Sequence, residues 1–177
     1  DPLLQLGGWY RPMSLSRSSS GPSRNVTVRL LGAQNEPSSP VTLPAVVKSE
    51  DAWREQLGED RFRILRSPGT EAPFCGTSLD NEMPGVYLCG GCELPLFASD
   101  AKFHSGTGWP SFFQPFAKEN VTEIKDASHG LVRTEIQCAR CGGHLGHVFP
   151  DGPKPTGLRF CLNSEAMDFR ETLCRPC

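Results

Sequence analysis

No stretch of this 177-residue chain approaches the ~18 consecutive apolar residues of a membrane span, so a soluble protein is expected. An excess of either charge is missing as well. The 18 Lys and Arg against 20 Asp and Glu leave a formal net charge of −2, with no basic face of the kind that releases counterions from nucleic acid. A signal-type apolar run is absent, and nothing repeats except two CxxC pairs. What the chain does have is eight cysteines. A secreted disulfide framework and an intracellular metal or redox protein both use cysteine at this density. Two clean CxxC pairs and the missing signal run point to the second.

The length fits one domain with an appendage. Residues 1–48 read as a disordered extension: Ser14–Ser23 is of low complexity and Pro37-Ser-Ser-Pro40 resembles a linker. Arginines at 11, 17, 24 and 29, with no acidic residue between Asp1 and Glu36, match either an organellar transit segment or a plain tail. The expected compartment is the cytoplasm, or a mitochondrion or plastid if the segment is a targeting signal. Val26–Leu31 suggests a short strand. Residues 49–170 form the expected domain, opening on a helix Glu50–Leu57 that Ser49 caps and Gly58 stops, with a further helical turn at 62–66. Short strands follow at Val86–Cys89, Leu94–Ala98, Val121–Lys125, Leu131–Cys138 and Leu158–Leu162. In Leu131–Cys138, Val132, Thr134, Ile136 and Cys138 alternate with Arg133, Glu135 and Gln137, the pattern of an antiparallel strand with one wet face. Residues 171–177 are a tail carrying a third CxxC, Cys174 and Cys177.

Cys89-Gly-Gly-Cys92 and Cys138-Ala-Arg-Cys141 have the zinc-knuckle form. Two intervening residues let both thiolates reach one ion, and neighbouring glycines let backbone amides turn toward sulfur. The expected cofactor is one structural Zn²⁺ on Cys89, Cys92, Cys138 and Cys141, stapling distant strands through binding coupled to folding. Iron is the main alternative for four thiolates.

Cys75, Cys161, Cys174 and Cys177 remain. A leftover cysteine is most often a small buried hydrophobe, but Cys161 has Arg159 and Asn163 at i±2, on its own face if the segment is a strand. A guanidinium there favours the thiolate, and Asn163 could orient a reacting group. His144 and His147 follow the second knuckle. With four thiolates already complete, an acid or base role opens beside the structural one. Ser105-Gly-Thr-Gly-Trp109-Pro-Ser-Phe112-Phe113 reads either as core in a turn-rich sheet or as a pocket. In the second reading Trp109 and Phe112 contact substrate, and Trp109, held by Pro110, offers a flat wall to a methyl group.

These motifs resemble the B-type methionine sulfoxide reductases, which act on the R epimer. The resemblance spans about residues 49–170 and rests on Gly69–Phe74, Cys89–Phe97, Ser105–Phe112, Cys138–Gly152 and Arg159–Ser164, in that order. It implies a mainly β, tent-like fold of two antiparallel sheets with a short N-terminal helical segment and a Cys₄ zinc away from the active site. It implies Cys161 as nucleophile, Trp109 as the surface for the sulfur-bound methyl, and His144, His147, Asn163 and Arg159 at active-site positions. The partners implied are proteins bearing methionine-R-sulfoxide and a thioredoxin-type reductant, with the chain acting as a monomer. One position departs from the pattern. Many relatives place a resolving cysteine where this chain has Thr107. Cys75 is the first choice to replace it, ahead of a tail cysteine or an external reductant. The rival readings are a non-catalytic zinc-bearing β-fold binding module and a zinc-ribbon nucleic-acid binder.

Overall fold

Side-chain alternation along short strands builds the molecule, and a computed structural model describes residues 24–172. The strands are β1 (Asn25–Val28), β2 (Val41–Pro44), β3 (Gly85–Cys89), β4 (Pro95–Ala98), β5 (Lys102–Phe103), β6 (Ser111–Phe112), β7 (Val121–Asp126), β8 (Arg133–Cys138), β9 (His144–Phe149), β10 (Arg159–Leu162) and β11 (Met167–Glu171). The mainly β, antiparallel expectation holds. A six-stranded sheet runs β5-β6-β10-β9-β8-β7, a three-stranded sheet runs β11-β3-β4, and β1 pairs with β2 in a separate hairpin. Among the described residues no helix is long and apolar enough to cross a membrane.

The two larger sheets meet over aromatic rings. Phe112 and Phe160 are direct neighbours across β6 and β10, and both point at the smaller sheet. Phe112 packs 5.1 Å from Tyr87 and 4.8 Å from Phe97, and Phe160 lies 5.6 Å from Phe97, separations typical of favourable edge and tilted ring contacts. This corrects one expectation. Phe112 is 0 % exposed and belongs to the core, because it is one residue out of phase with Ser111, which lies on the Cys161 side of the sheet, and it does not line the cleft beside Trp109.

The helix α1 spans Glu50–Leu65. Ser49 Oγ accepts the Ala52 N–H at 3.2 Å, and Gly58, at φ 74°, interrupts the helical backbone where a stop was expected. The chain then resumes to Leu65, because Phe62, Ile64 and Leu65 bury together with Trp53 from the first half. Arg66 lies over the Trp53 ring at 4.6 Å and donates to the Cys141 carbonyl at 2.8 Å, docking this segment on the second knuckle.

The extension boundary is also corrected. Residues 24–48 are ordered, and only residues 1–23, with Arg11 and Arg17, lie outside the described residues, as do Cys174 and Cys177 of the tail. The hairpin is held by Asn120, itself 0 % exposed. Its Oδ1 accepts Arg29 N–H at 2.8 Å, and its Nδ2 donates to the Arg29 carbonyl at 2.8 Å and the Pro95 carbonyl at 2.7 Å. Val46 N–H adds a bond to the Arg140 carbonyl at 2.9 Å, inside the second CxxC. The Pro- and Ser-rich composition suggested a linker, but Pro37-Ser-Ser-Pro40 is part of the connection between two paired strands, where Pro37 bridges Leu31.

Replacing Asn120 by Ala removes its bonds to three backbone groups, that to the Pro95 carbonyl buried and those to Arg29 part-buried. A loss of about 2–4 kcal/mol in unfolding free energy is expected by chemical denaturation, and a loss below about 0.5 kcal/mol would mean that the hairpin is held by other contacts.

Candidate active site and metal centre

Cys89 ends β3 and Cys138 ends β8, and each strand turns through its CxxC so that a second sulfur folds back. The Glu93 N–H bonds the Cys89 carbonyl and the Gly142 N–H the Cys138 carbonyl, both at 2.8 Å. All four Sγ atoms lie within 4.8 Å of one another, with Cys89–Cys141 at 3.6 Å and Cys92–Cys138 at 3.5 Å. A tetrahedral ion with metal–sulfur bonds of about 2.3 Å separates its ligands by about 3.8 Å, so the cluster is already at coordinating size. Gly143 makes room: a Cβ there would lie 2.9 Å from Leu65 Cδ2 and 3.3 Å from Cys141 Sγ. The donor set is soft and closed, which fits a structural divalent cation rather than a catalytic one.

The six-stranded sheet has a second face, away from the core. Residues opposite each other in antiparallel register project on the same side, so the pairs Cys161–Ser111, Cys161–His147, Arg159–Phe149, Glu135–His147 and Asp126–Arg133 gather one polar surface. The Arg133/Glu135/Gln137 side of β8, expected to be wet, belongs to it. Phe160 and Leu162 bury at 2 % and 1 % exposure, and this alternation turns Cys161 outward. A cleft of about 130 Å³ lies over it, lined by Thr70, Trp109, His147, Phe149, Cys161 and Asn163 among others. A larger cavity of about 650 Å³ lies beside Phe116, Leu158 and Phe160. No thiol or imidazole lines it, whereas the smaller cleft brings Cys161 and His147 together.

Two histidines three apart in a strand ordinarily face opposite sides. Here β9 carries a bulge: Gly146 pairs with Ile136 and His144 with Gln137, so Leu145 is the extra residue. Both imidazoles therefore share the polar face, with ring centroids 5.5 Å apart. Each faces a carboxylate. His147 Nε2 lies 3.0 Å from Asp126 Oδ2 and His144 Nδ1 2.6 Å from Glu135 Oε1. A carboxylate only accepts, so these nitrogens carry the proton, and the lone pairs of the neutral rings sit on the opposite nitrogens. His147 lines the cleft, whereas His144 is 4 % exposed and stands behind it against the His147 ring. Burial lowers the His147 pKa, while its bond to Asp126 opposes the shift. Hydrogen bonds from Ser128, and then from His147, hold Asp126 well below the usual carboxylate range.

Burial raises the Cys161 thiol, while Arg159 and the Thr107 hydroxyl both favour its thiolate. Arg159 is fixed by a two-pronged bond to Asp151, at 2.9 and 3.0 Å, and by the Phe149 ring 4.5 Å below its guanidinium. Asn163 reaches the cleft edge, yet its Oδ1 accepts Glu71 N–H and its Nδ2 donates to the Leu145 carbonyl, both at 3.1 Å. Trp109 forms one wall and donates its indole N–H to the Glu71 carbonyl at 3.1 Å. Cys75 is exposed and unbonded. It follows Phe74, which has φ 64° and donates its N–H to the Gly108 carbonyl at 2.8 Å, so the Cys75 loop rests on the loop that presents Thr107 to Cys161.

Sequence reasoning missed Asp126, Glu135, Thr107 as a neighbour of the thiol, and Glu71. The alternation in β8 carried a signal for Glu135. The other three come together only through strand pairing and loop contacts.

A profile described as SelR domain matches residues 57–171 of the chain. Among curated proteins, the peptide methionine sulfoxide reductase MsrB of Agrobacterium fabrum is 56 % identical over 131 residues, 74 % of this chain and 97 % of that protein. The protein of the same name from Saccharophagus degradans is 56 % identical over 124 residues, 70 % of this chain and 92 % of that protein. That of Azotobacter vinelandii is 57 % identical over 120 residues, covering 68 % and 90 %.

Removing the Arg159 guanidinium removes a group that favours the thiolate, so in Arg159→Leu the Cys161 ionisation moves to higher pH. The pH profile of iodoacetamide alkylation reads this shift, and an unchanged or lower midpoint would dismiss the assignment.

Proposed function

Since the chain belongs to the SelR domain family, that of the MsrB reductases, we propose that it reduces the R epimer of methionine sulfoxide in proteins, with Cys161 as nucleophile. The observation that carries this reading is the cleft itself: an outward thiol beside a guanidinium, with an indole wall on one side and an imidazole on the other.

The Cys161 thiolate attacks the sulfoxide sulfur while the protonated imidazole of His147 donates to the oxygen. Oxygen passes to the Cys161 sulfur and the substrate leaves as a thioether. The substrate gains two electrons and Cys161 loses two, becoming a sulfenic acid, with no net change in protons. The methyl group rests against Trp109 and the oxygen faces His147. The opposite epimer exchanges the two, setting an oxygen against the indole and a methyl against the imidazole. The Cys75 thiol then attacks the Cys161 sulfenic acid and releases water, and a thioredoxin-type dithiol reduces the resulting disulfide. Cys89, Cys92, Cys138 and Cys141 hold Zn²⁺, which supplies a closed staple between the two larger sheets and takes no part in the chemistry.

Assays with separated epimers and dithiothreitol test the proposal: turnover of R is expected, no turnover of either would end the enzyme reading, and turnover of S alone would end the subclass. Cys161→Ser is expected to lose all activity. Cys75→Ser is expected to lose it with thioredoxin and keep it with dithiothreitol. Activity requires His147 protonated and Cys161 ionised, although burial lowers the first pKa and raises the second. The kcat/KM profile is therefore a bell whose acid limb lies below the ordinary histidine value and whose alkaline limb lies above the ordinary thiol value. Its plateau scales with the small doubly competent fraction. Asp126→Asn removes a group that raises His147, so the acid limb moves down in pH and the plateau falls. An acid limb that moves upward, or does not move, would remove His147 from the proton-donor role.

A further inference from the structure

Glu71 is 8 % exposed and its carboxylate forms no ion pair among the described residues. Its Oε1 accepts Ser164 N–H at 2.7 Å and its Oε2 accepts Glu165 N–H at 3.1 Å, on the 3-10 turn that directly follows β10. Its own N–H donates to Asn163 Oδ1 at 3.1 Å, and its carbonyl accepts the Trp109 indole N–H at 3.1 Å. The Cys75 loop closes on the same point. A Cβ on Gly76 would lie 2.1 Å from Ser164 Oγ and 2.7 Å from Glu71 Oε1, and Ser164 Oγ accepts the Ser78 N–H at 3.3 Å.

Burying a carboxylate away from a cation is costly unless hydrogen bonds compensate. Here each oxygen accepts a backbone N–H, so the position requires two acceptors and no donor. Glutamine presents one acceptor and sets an N–H against an N–H; aspartate is one methylene shorter. We propose that Glu71 is a positioning residue that fixes the spacing between the methyl-binding wall Trp109, the strand bearing Cys161 and the loop bearing Cys75. It touches no reacting atom. It acts through Ser164, three residues beyond the nucleophile, and through the indole that its peptide unit holds.

The kinetic arm of the test rests on the reductase reading, and the spectroscopic arm does not. In Glu71→Gln the wall loosens relative to the thiol, so KM for methionine (R)-sulfoxide is expected to rise about 10- to 100-fold, as small misplacements in an active site do. The iodoacetamide rate constant of Cys161 should stay within about twofold, because the thiol keeps Arg159 and Thr107 as neighbours. The chain has three tryptophans, and Trp109→Phe identifies the indole N–H signal of residue 109 by its disappearance. Solvent exchange of that proton should speed up about tenfold or more in Glu71→Gln. An unchanged KM with an unchanged indole exchange rate would overturn the proposal. So would a fall in alkylation rate and melting temperature that accounts for the whole kinetic loss, since that is how a merely structural residue behaves. If Glu71→Gln does not fold, Glu71→Asp, which reaches only one of the two amides, carries the same measurements. If the wild-type protein turns over neither epimer, the reductase reading fails and the indole exchange still decides the role of Glu71.

Discussion

β10 sits between β9 and β6 with Phe160 and Leu162 driven into the core, and everything at the cleft follows from that burial. Burying two such side chains contributes about 2 kcal/mol each, and backbone pairing on both edges removes the freedom to slip. A one-residue shift in register would move the thiol into the core and a phenylalanine into the cleft. The Cys161 thiol is therefore positioned by its neighbours' hydrophobicity rather than by contacts of its own. Its chemistry can then be set separately, by the guanidinium at 159 and the hydroxyl at 107.

The four-sulfur cluster and the imidazole pair are linked through the same two strands. Glu135 stands level with His147, and through it with Cys161, while Cys138 lies three residues further along β8, roughly 10 Å away at a strand's rise per residue. The knuckles fix the ends of β3 and β8, and the bulge at Leu145 restarts the alternation so that His144 and His147 face one way. Behind them, Asp126 and Glu135 each hold one ring nitrogen. Gly146 completes the arrangement: a Cβ there would lie 2.0 Å from the Cys161 carbonyl oxygen, so β9 and β10 approach closely only because that position has no side chain.

Much of this was legible where chemistry and spacing coincide. The two CxxC pairs announced a four-sulfur cluster, and the alternation in β8 announced a polar face. Arg159 and Cys161, two apart, announced a charged neighbour for the thiol. What stayed hidden depends on long-range partners. β5 and β6 are two residues each and exist only through their pairing, β5 with β6 and β6 with β10. β9 contains a glycine and a bulge, which mask its period. Trp109 and Phe112 look alike in sequence, yet a bend and a bond to the Glu71 carbonyl hold one at the cleft while strand phase sends the other to the core. Asn163 looks like a free ligand and is engaged by backbone groups on both sides. The contacts of Glu71 with Asn163 and Ser164 lie 92 and 93 positions away, beyond any local pattern.

Asn120 also bears on where the folding unit begins. The SelR match starts at residue 57, but the carboxamide buried within the match has two of its three bonds on Arg29. A chain cut at the match boundary would lose the hairpin, the first turns of α1 and Trp53, and would expose Asn120 and the Arg140 carbonyl to solvent. The profile match and the packed structure thus differ in extent: an N-terminal segment that looks dispensable in sequence is part of the shell around the second knuckle.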